Sequence, residues 1–322
     1  MTDKKIIAVV GATGAQGGGL ARAVLEAPDG PFVLRAITRN PSSAKARALA
    51  DAGAEVVMAD LGDEASLRAA FEGAYGAFVV TNYWDPDVAP GQSRSKLELA
   101  QAANAARAAR EAGLKHVVWS TLEDTRPYFR HLGTDVPILE DGYTVPHFDA
   151  KAEANAYFNE QGVPTTFLET TFFYEAFLSG QGPQRGPDGR LVLALAMDEA
   201  ALSAVAAEDI GRTAYGIFAA GQRYVGRTVG LAGTHATGAE IAGLLAKVMG
   251  EPVDYRPLAF DQLRAAGFPA AEELGNMFQF YAEASESFVA HRDLEHLRTL
   301  NPRLQSLEDW LLAHQEELRA TL

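Results

Sequence analysis

Apolar runs of strand length alternate with amphipathic stretches along the first half of the chain. Residues 6–10, 33–38, 55–58, 77–81, 116–120 and 165–168 are short, β-branched-rich runs, the pattern of parallel strands covered on both faces. Between them, residues 16–26, 43–52, 64–72, 97–112 and 151–161 carry helical spacing. Gly53, Gly73, Gly113 and Gly162 each fall just past one of these helices, where a left-handed residue closes the last turn. Strand and helix in alternation predict βαβ units and an α/β fold, a doubly wound parallel sheet with right-handed crossovers.

The second half is less regular. Residues 203–207 read as a strand, followed by Glu208-Asp209 at an acidic helix start and an apolar helix over 210–219. Another strand is predicted over 225–231, helices over 234–249, 260–267 and 270–282, and a closing amphipathic helix over 307–318. Residues 123–146 and 179–189 have little periodicity, and loops of that length are either lids over a site or surface excursions.

Composition narrows the function. Of 322 residues, 48% are hydrophobic and 22% charged, enough for one large or two joined globular units. Lys and Arg number 28 against 42 Asp and Glu, a net charge of −14 with no basic patch, so direct nucleic-acid binding is not expected. The basic stretches 45–47 and 107–110 read as exposed helix faces. Cysteine is absent, which removes disulfides, thiolate metal ligands and cysteine nucleophiles together. The seven histidines show no helical pair with a third ligand, so no metal site is expected. The start, Met1-Thr2-Asp3-Lys4-Lys5, leads straight into a strand without a signal-peptide core, and no apolar run approaches the ~20 residues of a membrane span. A cytoplasmic protein off the membrane is expected.

The first strand runs into Gly11-Ala12-Thr13-Gly14-Ala15-Gln16-Gly17-Gly18. The first glycine allows a sharp turn, the second lets backbone approach a pyrophosphate, and the third packs helix on strand. The helix start then offers free N–H groups and a positive dipole end. Strand, glycine triplet and helix within one βαβ unit predict a dinucleotide site in a Rossmann fold. The Rossmann unit is expected over residues 1–175, completed by about 203–232, with a smaller α/β C-terminal lobe from 176–202 and 233–322. An acid at the end of the second strand would select NAD, but Thr38-Arg39-Asn40-Pro41 stands there. Arg39 suits a 2′-phosphate, with Thr38, Asn40 and Ser43 as neutral donors, so NADP(H) is expected, with NAD(H) still open. Asp60-Leu61 fits a contact to adenine, although Asp60 fits a helix cap equally well.

Taken with Thr81-Asn82-Tyr83-Trp84 and His147-Phe148-Asp149-Ala150-Lys151, these motifs resemble the NmrA-like family, an atypical branch of the short-chain dehydrogenase/reductase superfamily. Further likeness at Gly162-Val163-Pro164, Pro187-Asp188-Gly189, Gly267-Phe268-Pro269 and Asn276-Met277-Phe278-Gln279-Phe280 extends over nearly the whole chain, nearest to the NADPH-sensor branch. The resemblance implies that Gly11, Ala12, Thr13, Gly14, Ala15 and Gln16 hold pyrophosphate and Arg39 the 2′-phosphate. It places Asp60 and Leu61 at adenine, Thr81, Asn82 and Tyr83 along the ribose and nicotinamide, and Lys151 on the nicotinamide ribose. Thr171, Phe172, Phe173 and Tyr174 would flank the nicotinamide. Two basic residues of the sensor branch fall at Ser43 and Ala100, which implies a milder NADP preference.

Typical members of the superfamily use serine, tyrosine and lysine for proton transfer. Ser120 and Lys151 match two of those positions, and His147 replaces the tyrosine. Histidine is a competent acid, but a Lys151 cation four residues on favours the neutral ring, a poor proton donor. Conventional alcohol dehydrogenation is therefore not expected, and His147 reads as a packing residue at its helix start. Two functions stay open: a cofactor sensor or regulator with a protein partner, and a reductase of quinones or similar small apolar acceptors. In the second case Tyr83, Tyr143 or Tyr174 could supply protons. The aromatic clusters at 172–174 and 278–281 read as pocket walls or as core. Oligomeric state is open.

Overall fold

The computed structural model describes residues 4–322. Residues 1–3, at the head of the expected Rossmann segment, lie outside the described residues. The chain runs β1 (Lys5–Val10), α1 (Ala15–Leu25), β2 (Phe32–Thr38), α2 (Ala44–Asp51), β3 (Glu55–Met58), α3 (Glu64–Phe71), β4 (Gly76–Val79), α4 (Arg94–Glu111), β5 (His116–Thr121), α5 (Arg126–Leu132), α6 (Pro146–Glu160) and β6 (Thr165–Glu169). Next come β7 (Phe172–Phe173), β8 (Gln184–Arg185), β9 (Leu191–Leu195), β10 (Ala201–Val205), α7 (Ala207–Ala220), β11 (Thr228–Gly230), β12 (Thr234–Thr237), α8 (Gly238–Met249) and β13 (Val253–Pro257). Helices α9 (Phe260–Arg264), α10 (Ala271–Glu283), α11 (Ser285–Ala290), α12 (Leu294–Leu300), α13 (Leu307–Ala313) and α14 (Gln315–Ala320) complete it.

Seven strands form one parallel sheet in the order β11-β6-β5-β4-β1-β2-β3. The order reverses between β1 and β4, so the connections that leave their carboxyl ends diverge and open a crevice there. Alternation along β1 divides two cores. Ile7 and Val9 meet Leu20, Val24, Ile210 and Ile217 of α1 and α7, while Ala8 and Val10 meet Leu67, Phe71 and Ala105 of α3 and α4. Helices α1 and α7 cross backbone against backbone. A Cβ on Gly19 would lie 2.0 Å from the Glu208 carbonyl oxygen, and one on Gly211 would lie 2.1 Å from the Leu20 nitrogen. Only paired glycines permit that approach, which seats α7 on the sheet although it lies far along the chain.

The smaller lobe is built on two three-stranded sheets, β12-β10-β7 and β13-β9-β8. Its core gathers Leu191, Leu193, Leu195, Ile241, Leu245, Phe278 and Trp310. The aromatics of 278–281 belong to this core: Phe278, Phe280 and Tyr281 are buried in it.

Several expected boundaries move. β9 alternates buried and half-buried residues, a period-two signal obscured by its shortness, and β13 is an edge strand whose Asp254, Arg256 and Pro257 hide it. The helix expected from 234 begins at 238 instead, because 234–237 pair with β10. Thr237 marks the start with a capping box: its Oγ1 accepts from Glu240 N at 3.2 Å, and Glu240 Oε2 accepts from Thr237 N at 2.8 Å. The closing helix breaks into α13 and α14 at His314, whose ring stacks on Trp310. Residues 123–146 contain α5 and a 3-10 turn rather than bare loop, and 179–189 contain β8.

The 123–146 segment is pinned by Asp149, a fully buried carboxylate. Oδ1 accepts from Thr125 N and Oγ1 at 2.8 and 2.7 Å, and Oδ2 from Thr144 N, Thr144 Oγ1 and Val145 N at 2.9, 2.9 and 3.0 Å. Both ends of the segment are thereby tied to the first turn of α6.

Candidate functional site

A cleft of about 740 Å³ opens at the carboxyl ends of β1 and β4. Its floor is the β1–α1 turn. Gly11 has φ of +65°, a left-handed conformation that glycine tolerates, and a Cβ on Gly17 would come within 2.5 Å of the Gly11 carbonyl oxygen. No side chain caps α1, so the first-turn amides at Ala15, Gln16 and Gly17 face the cleft unpaired by any cap. Amides without a cap, a dipole end and turn glycines fit a pyrophosphate.

Gly11, Thr13, Gly14, Ala15, Gln16, Arg39, Asp60, Leu61, Thr81, Asn82 and Phe173 all line this cleft. Thr38, Asn40 and Ser43 line it too, Ser43 also accepting from Ala46 N as the cap of α2. Asp60 does not cap α3: Asp63 does, through Ala65 N and Ser66 N, while Asp60 Oδ1 accepts from Gly62 N. Ala12 is buried beneath the turn. The remaining residues of the set lie elsewhere. Thr171 Oγ1 donates to the Ser203 carbonyl at 2.8 Å, Phe172 packs on Phe177 and Phe278, and Tyr174 is buried against Trp310 with its hydroxyl donating to Thr234 Oγ1. Of this segment only Phe173 lines the cleft: Phe172 alternates to the other face of β7, and Thr171, before the strand, is held by the Ser203 carbonyl.

The three proton-transfer candidates are drawn apart. Ser120 Oγ donates to Gln16 Oε1 at 2.7 Å. Lys151, buried, donates to Thr81 Oγ1 at 2.8 Å, to the Thr81 carbonyl at 3.2 Å and to Glu98 Oε1. His147 Nδ1 and backbone N both donate to Glu273 Oε1, an oxygen contributed by α10. The cation expected beside His147 is thus engaged by Glu98, and the nearest charge to the ring is a carboxylate. Trp84 lies across it, with ring centroids 5.3 Å apart.

None of the three candidate tyrosines, Tyr83, Tyr143 and Tyr174, is activated. Tyr83 lies in a neighbouring hollow of about 630 Å³ with Ile138, Glu140, Phe268 and Glu273, and its hydroxyl donates to Glu140 Oε2 at 3.2 Å. Burial, then the Glu273 carboxylate, push its phenol far up; burial does the same to Tyr143 and Tyr174.

Three polar cleft residues escaped the sequence reading. Asp85 and Gln101 stand beyond the motifs, and Lys45 looked like an exposed helix face. The signal for Lys45 was its place one turn past Arg39-Asn40-Pro41, at the start of α2. Ala100 is exposed beside Gln101.

The fold and the cleft define a Rossmann-type α/β protein with a smaller C-terminal lobe. The chain belongs to the NmrA-like family, whose pattern it matches over residues 3–311. It is similar to the NmrA-like family domain-containing oxidoreductase FrzB of Cladobotryum sp, 31% identical over 85% of this chain and 83% of that protein. Among solved structures it resembles NmrA, a negative transcriptional regulator, in complex with NADP, at a TM-score of 0.77 and 22% identity over 100% of this chain and 99% of that one. The NADPH-dependent quinone oxidoreductase QOR2 of Escherichia coli, complexed with NADPH, aligns at a TM-score of 0.68 and 26% identity, over 96% of this chain and 99% of that one.

Proposed function

We propose that this protein binds NADP(H), with NAD(H) as a weaker or comparable ligand, and acts as a cofactor-responsive regulator rather than a conventional dehydrogenase. The observation that carries this is the contrast between an intact cradle and a proton-donor set whose members each serve another partner. Main-chain amides of α1 would hold the pyrophosphate, Arg39 the 2′-phosphate, and Asp60 and Leu61 would border adenine. Bound, the cofactor supplies a hydride or its acceptor. This chain's own residues orient it and join the loop after β4 to the 137–145 segment. Arg94 makes that joint: its Nη1 donates to the Tyr83 and Asp85 carbonyls, and its backbone N donates to Glu140 Oε1. A ligand against the loop after β4 therefore bears on a surface that a protein partner can read.

Hydrogen exchange tests this reading. NADPH is expected to slow exchange over residues 82–93 and 137–142. Unchanged exchange in a chain that calorimetry shows to be saturated would defeat the regulator reading and leave simple cofactor binding.

Reductase activity on quinones or similar apolar acceptors is the second reading. It draws on the hollow rimmed by exposed Ile138 and Phe268 beside the His147–Glu273 pair, and on the names of the relatives. Steady NADPH oxidation across a quinone panel, lost in Gly14→Asp, would favour it over the regulator.

A further inference from the structure

Arg39 already has an anionic partner. Its Nη1 donates to Asp85 Oδ2 at 3.0 Å, joining the end of β2 to the turn after β4, and both residues line the cleft. The two are held unequally. Asp85 is pinned: its Oδ1 accepts from Asp87 N at 3.0 Å, its carbonyl accepts from Arg94 Nη1 at 2.8 Å, and its side chain is 15% exposed. The Arg39 side chain is 63% exposed, and Asp85 is its sole hydrogen-bond partner among the described residues. An exposed arginine exchanges partners readily, whereas a carboxylate fixed in a turn stays. The acid absent from the end of β2 is thus supplied from another strand's loop.

We infer that Asp85 sets the dinucleotide preference of this cleft, an inference that rests on the dinucleotide reading above. Toward a cofactor with a free 2′-hydroxyl, a carboxylate in this corner is an acceptor, the role of the acid that marks NAD-selective folds. Toward a 2′-phosphate it is a like charge, and the phosphate must also draw Arg39 away from it. Ser43 adds no charge to offset that opposition, which leaves Arg39 and Lys45 as the cations of the corner. The outcome is a site that accepts both cofactors, with its NADP preference held down by one residue.

Calorimetric titration of NADP+ and NAD+ into the unsubstituted chain, Asp85→Asn, Arg39→Ala and Asp87→Asn tests this. Asparagine keeps an oxygen for the Asp87 amide, so the turn survives. Asp85→Asn is expected to raise the NADP-to-NAD affinity ratio about threefold to tenfold, the range of a partly screened charge pair, with the gain shrinking at high salt. Arg39→Ala is expected to lower the ratio. Asp87→Asn, an exposed acid outside the cleft lining, removes the same charge two residues away and is expected to leave it unchanged. An unshifted ratio in Asp85→Asn, including an equal loss of both affinities, would overturn the assignment, as would an equal rise in Asp87→Asn. An unsubstituted chain that binds neither dinucleotide would overturn the cofactor reading, and Asp85's role with it. Binding of both with no shift overturns only the latter.

Discussion

At the phosphate end of the cleft, the groups that face a ligand are main-chain amides of the β1–α1 turn and the exposed cations Arg39 and Lys45. At the other end, Ser120, His147 and Lys151 are buried side chains, each already bonded to Gln16, Glu273 or Glu98 and Thr81. The first arrangement leaves hydrogen-bonding capacity over for something outside the protein. The second uses that capacity to hold distant segments together: α6 to α4 through Lys151 and Glu98, and α6 to α10 through His147 and Glu273. Residues that occupy positions associated with catalysis in a superfamily can therefore serve the fold. Stability and ligand affinity should separate cleanly between the two ends.

The largest expected effect lies at the buried end. Lys151→Met leaves Glu98 buried without its cation, and Glu98 Oε2 has no hydrogen-bond partner among the described residues. Urea unfolding is expected to register a loss of about 3–5 kcal/mol, most of it recovered in Lys151→Met/Glu98→Leu, where no charge is left uncompensated. A loss below about 1 kcal/mol together with abolished NADPH binding would break the comparison and make Lys151 a ligand residue.

Acid provides the next test, at neither end of the cleft. His116 opens β5, an interior strand, at the amino ends of the strands, opposite the cleft; its Nε2 donates to Thr166 Oγ1 at 2.7 Å, and Nδ1 has no partner among the described residues. Burial pushes its imidazole down to about 4 from the ordinary 6.5. Between those values the folded chain binds fewer protons than the unfolded chain. Its contribution is whole above pH 6.5 and lost as pH falls toward 4, to at most about 3 kcal/mol. Denaturant midpoints from pH 7 to pH 4 are expected to fall less in His116→Phe, which keeps a ring against Phe218. An unaltered slope would move the acid sensitivity elsewhere.

Gly14→Asp sharpens the contrast from the phosphate end. Gly14 has φ of −88° and ψ of −177°, angles any residue adopts, and it caps α1, but a Cβ there would stand 3.2 Å from the Gly11 carbonyl oxygen. A carboxylate there suits the helix start and offsets that crowding, so the melting temperature is expected to change little, while dinucleotide affinity falls about 100-fold through repulsion of the pyrophosphate. A comparable fall in melting temperature would mean that the turn serves the fold first. The smallest effect is expected from Ser120→Ala: about 1 kcal/mol or less of stability for one neutral hydrogen bond, and less than about threefold in NADPH affinity.

Much of this was legible in the chain because it is local. Apolar runs and helical spacing marked β1 to β6 with the helices α1 to α4 and α6 between them, and Gly53, Gly73, Gly113 and Gly162 all have positive φ beyond their helices. The β1–α1 turn was readable because its glycines answer to steric demands within seven residues. β9 and β13 were not, since they owe their pairing to each other across more than 50 residues. Nor were Asp85, Gln101 and Lys45, which the fold brings to the cleft from three separate loops and helices. Of the 171–174 motif only Phe173 lines the cleft, since Thr171, Phe172 and Tyr174 take partners in the smaller lobe.

Sequence alone determined the class of fold, a glycine turn whose uncapped amides suit a phosphate, and the absence of an acid at the end of β2, because each depends on residues adjacent along the chain. Tertiary structure decided which partner each buried polar group takes. Glu98 and Thr81 engage Lys151, Glu273 rather than Lys151 faces His147, and Asp85 brings from the loop after β4 the charge that β2 lacks. Those choices depend on distances between segments remote in sequence, and electrostatic pairing in a low-dielectric interior is settled by distance.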